Sequence, residues 1–319
     1  MDSAFKRLLR RPEFGVVMSL IVIFLVFTIL SSGKFLSARN LSNVLASGSQ
    51  LGIMVIGIAL VLILGEIDLS VGSTAGFTAL LFVLWTNRLG AEPAFVLALL
   101  VACLIGLFNG LVITKAEVPS LIATLGMTLF LRGFIYVITG GFVTSFQGTS
   151  PLVEILSGKL LFGFTTSIVW FVLLAVIFAL ILDTTPYGNR LFAVGGKREV
   201  ARALGINVER MRLTVFVICA TLAGFSGCLM ASRFRTVAAT TGAQMELEAI
   251  ASAVMGGCLL TGGYGSIQGP CVGALLVSCV GSGLVLAGAP AYWYQAFIGI
   301  VLVIASIVNL NVVRRVVAR

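Results

Sequence analysis

Residues 184–212, TTPYGNRLFAVGGKREVARALGINVERMR, decide the architecture of this chain. Together with Asp183 they carry nine of its 33 formal charges, although they lie between two long apolar runs. Cytoplasmic loops of membrane proteins carry an excess of Lys and Arg. Six of the nine charges are basic, so the segment is predicted to be a cytoplasmic loop between two membrane spans. The six are Arg190, Lys197, Arg198, Arg202, Arg210 and Arg212.

The rest of the chain has the composition of a membrane protein. Of its 319 residues, 59% are hydrophobic and 10% are charged, whereas a soluble domain carries about 25% charged residues. A helix needs about 20 apolar residues to cross a bilayer, and helices satisfy their own backbone groups there. The apolar runs are continuous rather than alternating. We therefore predict an all-α, polytopic membrane protein with one transmembrane domain, residues 1–319.

Composition also excludes several kinds of site. The chain has no histidine, which removes the usual acid–base group and the commonest metal ligand. Its six cysteines fall inside apolar runs without CxxC spacing, which favours packing over disulfides or metal binding. We therefore expect no catalytic residue and no metal site. The net charge of +9 does not indicate nucleic acid, because the basic residues cluster at span ends.

The apolar runs predict about ten membrane spans, including broken or half helices, with both termini in the cytoplasm. In this topology 14 Lys and Arg residues lie on the inner side and six on the outer side, as the positive-inside rule requires. Spans three and eight are short, so merging or splitting one of them is the main risk to the count. The spans are residues 14–30, 44–64, 74–86, 94–114, 120–139, 167–182, 213–231, 247–260, 271–286 and 292–310.

Within the charged segment, residues 199–205 (EVARALG) predict a short amphipathic helix. The glycine suits the position after a helix end because it accepts a positive φ. A small apolar patch is expected from Ala201, Leu204 and Ile206. Such a helix fits a groove on another protein; a solvated helix with no partner is the alternative. The candidate docking residues are Glu199, Ala201, Ala203, Leu204 and Gly205.

A second polar interruption, residues 65–72 (GEIDLSVG), lies between two apolar runs. Carboxylates near hydrocarbon cost about 2.5–3.5 kcal/mol each, so they usually face a cavity or a partner. Glu66, Asp68 and Ser70 between flanking glycines predict a break between two half-helices, whose backbone groups can bind polar substrates. In the alternative, Asp68 or Ser70 caps the following helix. The two roles can coexist.

Other polar side chains lie inside the predicted spans. Arg132 is about 13 residues into the fifth span, past mid-membrane at about 1.5 Å per residue. It could snorkel outward, pair with a carboxylate or line a path. Asn109, Thr124 and Thr128 could contact a substrate or join helices by hydrogen bonds. The tentative pathway set is Glu66, Asp68, Ser70, Asn109, Thr124 and Arg132.

The aromatic run Tyr292-Trp293-Tyr294, beside Pro290, lies at the start of the tenth span. Aromatic residues are enriched where a span meets the membrane–water interface. We therefore interpret the run as an interfacial anchor, with stacking against a ligand as the alternative.

Four stretches together resemble the permease subunits of ribose-type sugar ABC importers. They are GEIDLSVGS (65–73), VPSLIATLGMTLFLRGF (118–134), GNRLFAVGGKREVARALGI (188–206) and GGYGSIQGP (262–270). The resemblance runs from about residue 40 to the end. Glu199, Ala201 and Gly205 also match the E-A-A-x-x-x-G signature of bacterial ABC importer membrane subunits, with Val200 where alanine is usual. The family usually has glycine at the position of Glu66.

The resemblance implies a transport role. In the family, the equivalent of residues 199–205 lies on a cytoplasmic coupling helix that sits in a cleft of the ATPase. It implies import of a monosaccharide or related polyol across the bacterial inner membrane by alternating access. The implied partners are a second permease copy, two ABC ATPase domains, a periplasmic sugar-binding protein and membrane lipid. This chain lacks a GxxxxGK[ST] phosphate loop, so ATP and Mg²⁺ would bind the ATPase partner and this chain would hold no cofactor.

Three other functions were weighed against this one. Related importers carry the autoinducer-2 signal rather than a nutrient sugar. An ion-coupled secondary transporter would need a carboxylate in the bundle core, for which Glu66 and Asp68 are the candidates. An intramembrane enzyme is disfavoured because the chain has no histidine and no nucleophile–base spacing.

Overall fold

The structure is a computed structural model that describes residues 12–148, 150–160, 163–290, 292–301 and 303–304. The basic residues at both ends of the chain, on which the cytoplasmic termini were predicted, lie outside these ranges. The described part is mostly helical, with one two-stranded ribbon. The helices are α1 (Pro12–Leu30), α2 (Ala38–Ile63), α3 (Val71–Leu89), α4 (Ala91–Lys115), α5 (Ser120–Thr139), α6 (Pro151–Ser157), α7 (Ser167–Thr184), α8 (Pro186–Gly196), α9 (Arg198–Ala203), α10 (Val208–Phe234), α11 (Met245–Met255) and α12 (Gln268–Leu286). A short 3-10 turn, Lys34–Leu36, precedes α2, and residues 293–301 are helical as well.

Helix α2 lies at the centre of the bundle. It packs against α7, α10, α11 and α12, and 94% of its most apolar window is buried. Three glycines on α2 allow close contacts with different neighbours: a Cβ on Gly57 would lie 2.9 Å from Cys219 Cα, and one on Gly48 would lie 2.8 Å from Leu275 Cδ2. Gly52 faces the ring of Phe171 in the same way. Small residues at such contacts are the usual means of close helix packing in membranes.

The outer layer of the bundle is apolar and exposed. Helix α10 packs against α2, α3 and α4, whereas only 22% of the apolar window of α5 and 17% of that of α7 are buried. Exposed leucine, valine and phenylalanine side chains on these helices suit a lipid environment rather than water. Six described helices are long and apolar enough to cross a membrane: α2, α4, α5, α7, α10 and α12.

The described helices coincide in position with the predicted spans, with shifted ends, but six of them rather than ten are long and apolar enough to cross a membrane. Residues 302 and 305–310 of the tenth predicted span lie outside the described residues. Span five, residues 120–139, has the bounds of α5. Span two begins earlier than predicted: residues 38–43 were assigned to an outer loop but form the first turns of α2, because the Ser37 side chain accepts a hydrogen bond from Asn40 N at 3.4 Å. The segment between α10 and α11 contains strand β2 (Thr236–Val237), which pairs antiparallel with β1 (Thr144–Ser145).

None of the six cysteines, all of which lie in the described residues, forms a disulfide. Five are buried, and Cys103 on α4 is half-buried. The described residues hold no group of three or more His, Cys, Asp or Glu side chains suited to a metal ion. The packing role predicted for the cysteines is therefore consistent with their positions.

Candidate functional site

The charged segment 184–212 folds into helices rather than an open loop. Helix α8 begins with Pro186 at its first position, where the missing N–H costs nothing. The six-residue helix α9 follows after Lys197, and α10 begins at Val208. The Asn207 side chain caps α10 by accepting from Arg210 N at 2.8 Å. The predicted short helix is thus present, between two longer ones.

Helix α9 ends as the sequence predicted. Gly205 has φ +78°, and its N–H donates to Arg202 O at 2.9 Å while Ile206 N donates to Ala201 O at 3.0 Å. This pair of bonds is the Schellman motif, which requires a residue at positive φ after the helix end. Helix α2 ends with the same pattern: Gly65 has φ +77°, and Glu66 N donates to Val61 O at 3.1 Å.

The exposed face of α9 differs from the predicted patch. Ala201 is fully buried against the protein and Ile206 is half-buried, so their expected place in an exposed patch was wrong. The exposed apolar side chains are instead Val200, 51% exposed, and Leu204, 72% exposed. They are four residues apart and therefore neighbours on one helix face. The remaining candidates Glu199, Ala203 and Gly205 are exposed too.

Glu66 forms an ion triad with two arginines of the charged segment. The side chain of Glu66 is 6% exposed. Its Oε1 accepts from Arg198 Nη2 at 2.6 Å, and from Arg212 Nε at 2.8 Å. Arg198 is the first residue of α9, and Arg212 lies in the second turn of α10. One carboxylate at the break after α2 thus holds the helices on both sides of Gly205.

A junction of glycines lies beside this triad. The backbones of residues 63–65, 195–196 and 262–263 meet there without intervening side chains, and Gly263 N donates to Ile63 O at 2.8 Å. A Cβ on Gly262 would lie 2.7 Å from Gly65 Cα. A Cβ on Gly195 would collide with the carbonyl oxygen of Ile63. Only glycine allows three chain segments to approach this closely.

The break between α2 and α3 is a buried polar network. Asp68 Oδ1 accepts from Ser70 N at 2.8 Å and from Ser70 Oγ at 2.6 Å. Asn109 Nδ2 on α4 donates to Ser70 Oγ at 2.9 Å. Ser70 is the residue before α3, but its own side chain forms no cap hydrogen bond. Asp68 therefore holds the residue that precedes α3, but neither Asp68 nor Ser70 caps an N–H of the helix itself, which the capping interpretation had required.

Hydroxyl groups on one face of α5 satisfy the remaining backbone groups of the break. Ser120 Oγ accepts from Ile67 N at 3.3 Å, and Thr124 Oγ1 accepts from Leu69 N at 3.1 Å. Thr128 Oγ1 donates to Leu69 O at 2.8 Å. The three hydroxyls are spaced by four residues, so they form one stripe along the helix. They replace the helical hydrogen bonds that the chain loses where it is extended.

Four members of the tentative pathway set are thus brought together and sequestered. Asp68, Ser70, Asn109 and Thr124 are buried within the protein and bonded to one another or to its backbone. Glu66 lies next to this network but points to the charged segment, where it borders a concavity of about 470 Å³ between α9 and residues 113–121. The role of these residues in a pathway stays a prediction, and a passing molecule would reach the four only if the break opened.

Arg132, the sixth member, lies apart from the other five. Its Nη1 donates to Thr241 O at 2.7 Å, which ties α5 to the segment before α11. Glu246 on α11 attracts it electrostatically. Within the described residues Arg132 Nη2 and Glu246 Oε2 are buried without hydrogen-bond partners. Pairing with a carboxylate was one of the predicted alternatives.

Sequence reasoning missed Glu246 and the partners of Glu66. Arg198 and Arg212 were noted only as contributors to the charge of the segment. A signal for the triad did exist: a carboxylate where related permeases usually have glycine has to be compensated, and the nearest excess of positive charge is in residues 184–212. No comparable signal pointed to Glu246.

Comparison with known proteins gives consistent matches over most of the chain. The family described as branched-chain amino acid transport system / permease component matches residues 40–306. The chain is 33% identical over 311 residues to the probable ABC transporter permease protein YphD of Escherichia coli K12, covering 95% of this chain and 91% of that protein. It is 34% identical over 284 residues to the autoinducer 2 import system permease protein LsrC of Salmonella typhimurium, covering 88% of this chain and 81% of that protein.

No solved structure matches the chain significantly. The family match extends far beyond half of the chain, and both relatives exceed 30% identity over most of their length. The predicted resemblance is therefore confirmed, and the chain belongs to the permease-component family of ABC transporters, as a multi-pass protein of the bacterial inner membrane.

Proposed function

We propose that this chain is the permease subunit of an importer for a monosaccharide or related polyol, driven by a separate ATPase that docks on α9. The observation that carries the proposal is the ion triad, because Glu66 joins the docking helix to the break in the transmembrane bundle. A movement of α9 would then reach the polar network of the break directly. No residue of this chain makes or breaks a covalent bond in this mechanism.

The docking surface consists of the exposed face of α9. Val200 and Leu204 provide adjacent apolar side chains beyond the membrane domain, and Glu199 lies beside them. A short helix with an apolar face inserts into a groove of its partner and contributes a few anchor residues. The neighbouring concavity, lined by Arg202, Glu209 and the α4–α5 turn, extends this surface.

Two connections would transmit the motion of the docked helix. The Glu66 carboxylate binds Arg198 at the start of α9 and Arg212 in α10. The glycine junction joins the end of α8 to the end of α2. Closure of the ATPase pair would pull on both, the break between α2 and α3 would rearrange, and access would alternate between the two sides of the membrane.

The rest of the assembly follows from this mechanism as part of the proposal. The chain would cross the membrane ten times with both termini in the cytoplasm, and would pair with a second permease copy. Two ABC ATPase domains would bind ATP and Mg²⁺, and a periplasmic binding protein would deliver the substrate. An autoinducer-2 signal is the second candidate substrate, favoured by the similarity to LsrC, whose name assigns it to autoinducer 2 import. It is also a small oxygenated molecule.

The docking proposal is tested by retention of a soluble ABC ATPase of a sugar importer from the same organism on detergent-purified permease. We expect Leu204→Glu and Val200→Glu to reduce retention at least tenfold, because each places a charge in an apolar contact. Asn189→Glu is the matched control, since Asn189 is exposed on α8, outside the docking face. Equal retention by all variants would overturn docking on α9. Uptake in proteoliposomes that needs an ion gradient but no ATPase would overturn the importer itself.

A further inference from the structure

A second cavity lies at the other end of the bundle from the charged segment. Helix α10 connects the two regions: it begins beside Gly205 and ends at Phe234, which lines the cavity. Its 27 residues span about 40 Å at 1.5 Å per residue, roughly a membrane thickness. In the proposed topology the cavity is therefore on the periplasmic side, where a binding protein would release its cargo.

The cavity has the size of a small ligand site. Its volume is about 420 Å³, within the range of about 300–1,000 Å³ that is typical of ligand pockets. It lies between α2, α10, α11, α12 and the segment that follows α12. The polar lining residues are Asn43, Ser47, Gln50, Glu248, Ser278, Ser282 and Tyr294, and the apolar ones include Val44, Leu51, Met230, Phe234 and Met245.

One lining side chain, Gln50, has a hydrogen-bond donor without a partner among the described residues. Gln50 is 4% exposed, and within the described residues its Nε2 has no hydrogen-bond partner. Its Oε1 has only a long contact of 3.5 Å with Arg233 Nη1. A buried amide donor without a partner costs free energy, and native structures rarely keep one without a reason. Because this nitrogen is itself sealed from the cavity, a ligand acceptor would remove this cost once the side chain turns toward the cavity.

The other polar groups of the lining are held in place. The Tyr294 hydroxyl and the Glu248 carboxylate lie within interaction range of each other. Arg233 lies behind the α2 side of the cavity and donates to Asn43 Oδ1 at 3.2 Å and Ser47 Oγ at 3.1 Å. Fixed donors and acceptors around a partly apolar cavity are the usual means of orienting a small ligand.

The chemistry of the lining selects a neutral ligand with several hydroxyls. A carboxylate accepts hydrogen bonds, amide nitrogens donate them, and serine and tyrosine hydroxyls do both. Phe234 and Tyr294 provide aromatic surface for the C–H face of such a ligand. No Lys or Arg lines the cavity among the described residues, and Arg233 behind the wall is already engaged by Asn43 and Ser47, so the carboxylate of an amino acid would lie beside Glu248 without a cation in the lining. A buried unpaired charge is costly.

We infer that this cavity is a low-affinity binding site for a monosaccharide or polyol within the permease itself, with Gln50, Glu248 and Tyr294 as its polar contacts. The inference rests on the proposed function and names a place where the imported molecule would pause after release from the binding protein. Tyr294 is thereby assigned a different role from its neighbours Tyr292 and Trp293. Those two side chains are exposed, as expected for an interfacial anchor.

The test is ligand-detected NMR (saturation transfer) on the full chain in lipid nanodiscs, with D-ribose, D-galactose and xylitol as probes and L-leucine as the comparison. We expect saturable binding of at least one polyol and none of L-leucine. Tyr294→Phe, Glu248→Gln and Gln50→Met should each weaken that binding about fivefold, the effect of one lost hydrogen bond. The matched controls are Tyr292→Phe and Glu92→Gln, both exposed and outside the lining.

Absence of saturable polyol binding by the wild-type chain would overturn the inference, as would lining variants that bind like the controls. Tyr294→Phe removes one oxygen and keeps the ring, so it stands as the decisive variant if another fails to fold. ATP-driven uptake of the same probes, measured with the ATPase and binding protein reconstituted, separates the two proposals. If the lining variants leave uptake unchanged, the ligand site in the cavity is ruled out and the importer function is retained. Polyol binding without ATP-driven uptake would sink the importer.

Discussion

The two ends of the bundle treat buried polar groups in opposite ways. At the charged end, the Glu66 carboxylate is bonded to two guanidinium groups, and the hydroxyls of α5 satisfy the backbone of the break. At the other end, Gln50 lines a cavity of about 420 Å³, and its side-chain nitrogen has no hydrogen-bond partner within the described residues. The first end bonds the Glu66 charge within the protein, although Asp68 Oδ2 has no partner among the described residues, whereas the second holds an unpaired amide beside a cavity.

Under the proposed function, this difference would separate two tasks of one transport subunit. A region that transmits force needs internal bonds that persist while helices move, and bonded charges supply them. A region that receives a molecule needs donors and acceptors whose partner is the molecule. The contrast predicts that substitutions at the charged end lower the stability of the protein, whereas substitutions in the cavity lower ligand binding and leave stability nearly unchanged.

The largest effect is expected from Glu66→Gln. It leaves Arg198 and Arg212 without a carboxylate, and breaking a buried ion pair from one side costs about 3–5 kcal/mol. Because Arg198 is partly exposed, we expect a smaller loss than for a fully buried pair, about 2–3 kcal/mol, in unfolding of the purified permease. Glu209→Gln is the matched control: its ion pair with Arg202 is exposed on both sides, so the loss should be below about 1 kcal/mol. Equal losses would remove the distinction between the triad and an ordinary surface pair.

Gly195→Ala comes next, with an expected loss of about 1–3 kcal/mol from overpacking. The added methyl group would collide with the Ile63 carbonyl oxygen, so α8 and α2 would have to separate. Gly196→Ala is the control one residue later, where a Cβ meets no atom within 4 Å. Thermal unfolding of both variants, together with ATP-driven uptake, measures the effect. A stable and active Gly195→Ala variant would show that the close approach is dispensable.

A smaller effect is expected from Thr124→Val on α5. The change leaves the Leu69 N–H without its acceptor, and a buried donor without a partner costs about 1–3 kcal/mol. Hydrogen bonds between membrane helices average only about 0.6 kcal/mol, so we expect about 1 kcal/mol. Thr221→Val is the control, because its hydroxyl bonds only within α10, to Val217 O. If the two variants lose the same stability, the stripe of hydroxyls does not support the break.

The smallest change in stability is expected in the cavity, from Gln50→Met. Replacing an amide whose nitrogen has no partner by an apolar group of similar size is close to neutral. We expect a change within about 0.5 kcal/mol, measured by the same unfolding assay without added sugar. A loss as large as that of Glu66→Gln would mean that Gln50 has a structural role, and the contrast between the two ends would disappear.

Much of the fold could be predicted from local sequence. Long apolar runs gave the helices to within a few residues, and the glycines at 65 and 205 marked helix ends because positive φ favours glycine. Asp68 and Ser70 pointed to the start of α3 for the same kind of local reason. These features depend on residues a few positions apart, which the sequence displays directly.

The rest of the site depends on contacts distant in sequence. Glu66 and Arg198 are 132 positions apart, and Glu66 and Arg212 are 146 apart, so periodicity contains no information about their pairing. The orientation of α9 was mispredicted because which face is buried depends on how α8 and α10 hold the helix. Ala201 faces the protein interior. Val200, which the sequence analysis noted only as a departure from the signature, lies on the exposed face. Gln50 was hidden within an apolar run.

The glycine junction also has a consequence for mechanical compliance. Side chains between two moving elements absorb displacement by changing rotamer, so part of the motion is lost. At residues 63–65, 195–196 and 262–263 the backbones touch directly, and no rotamer lies between them. A displacement at the end of α8 must therefore move the end of α2 by a similar amount and with little delay. In the proposed mechanism the junction would act as a stiff linkage: because no side chains lie between the backbones, the displacement of α8 would reach α2 with little loss of amplitude.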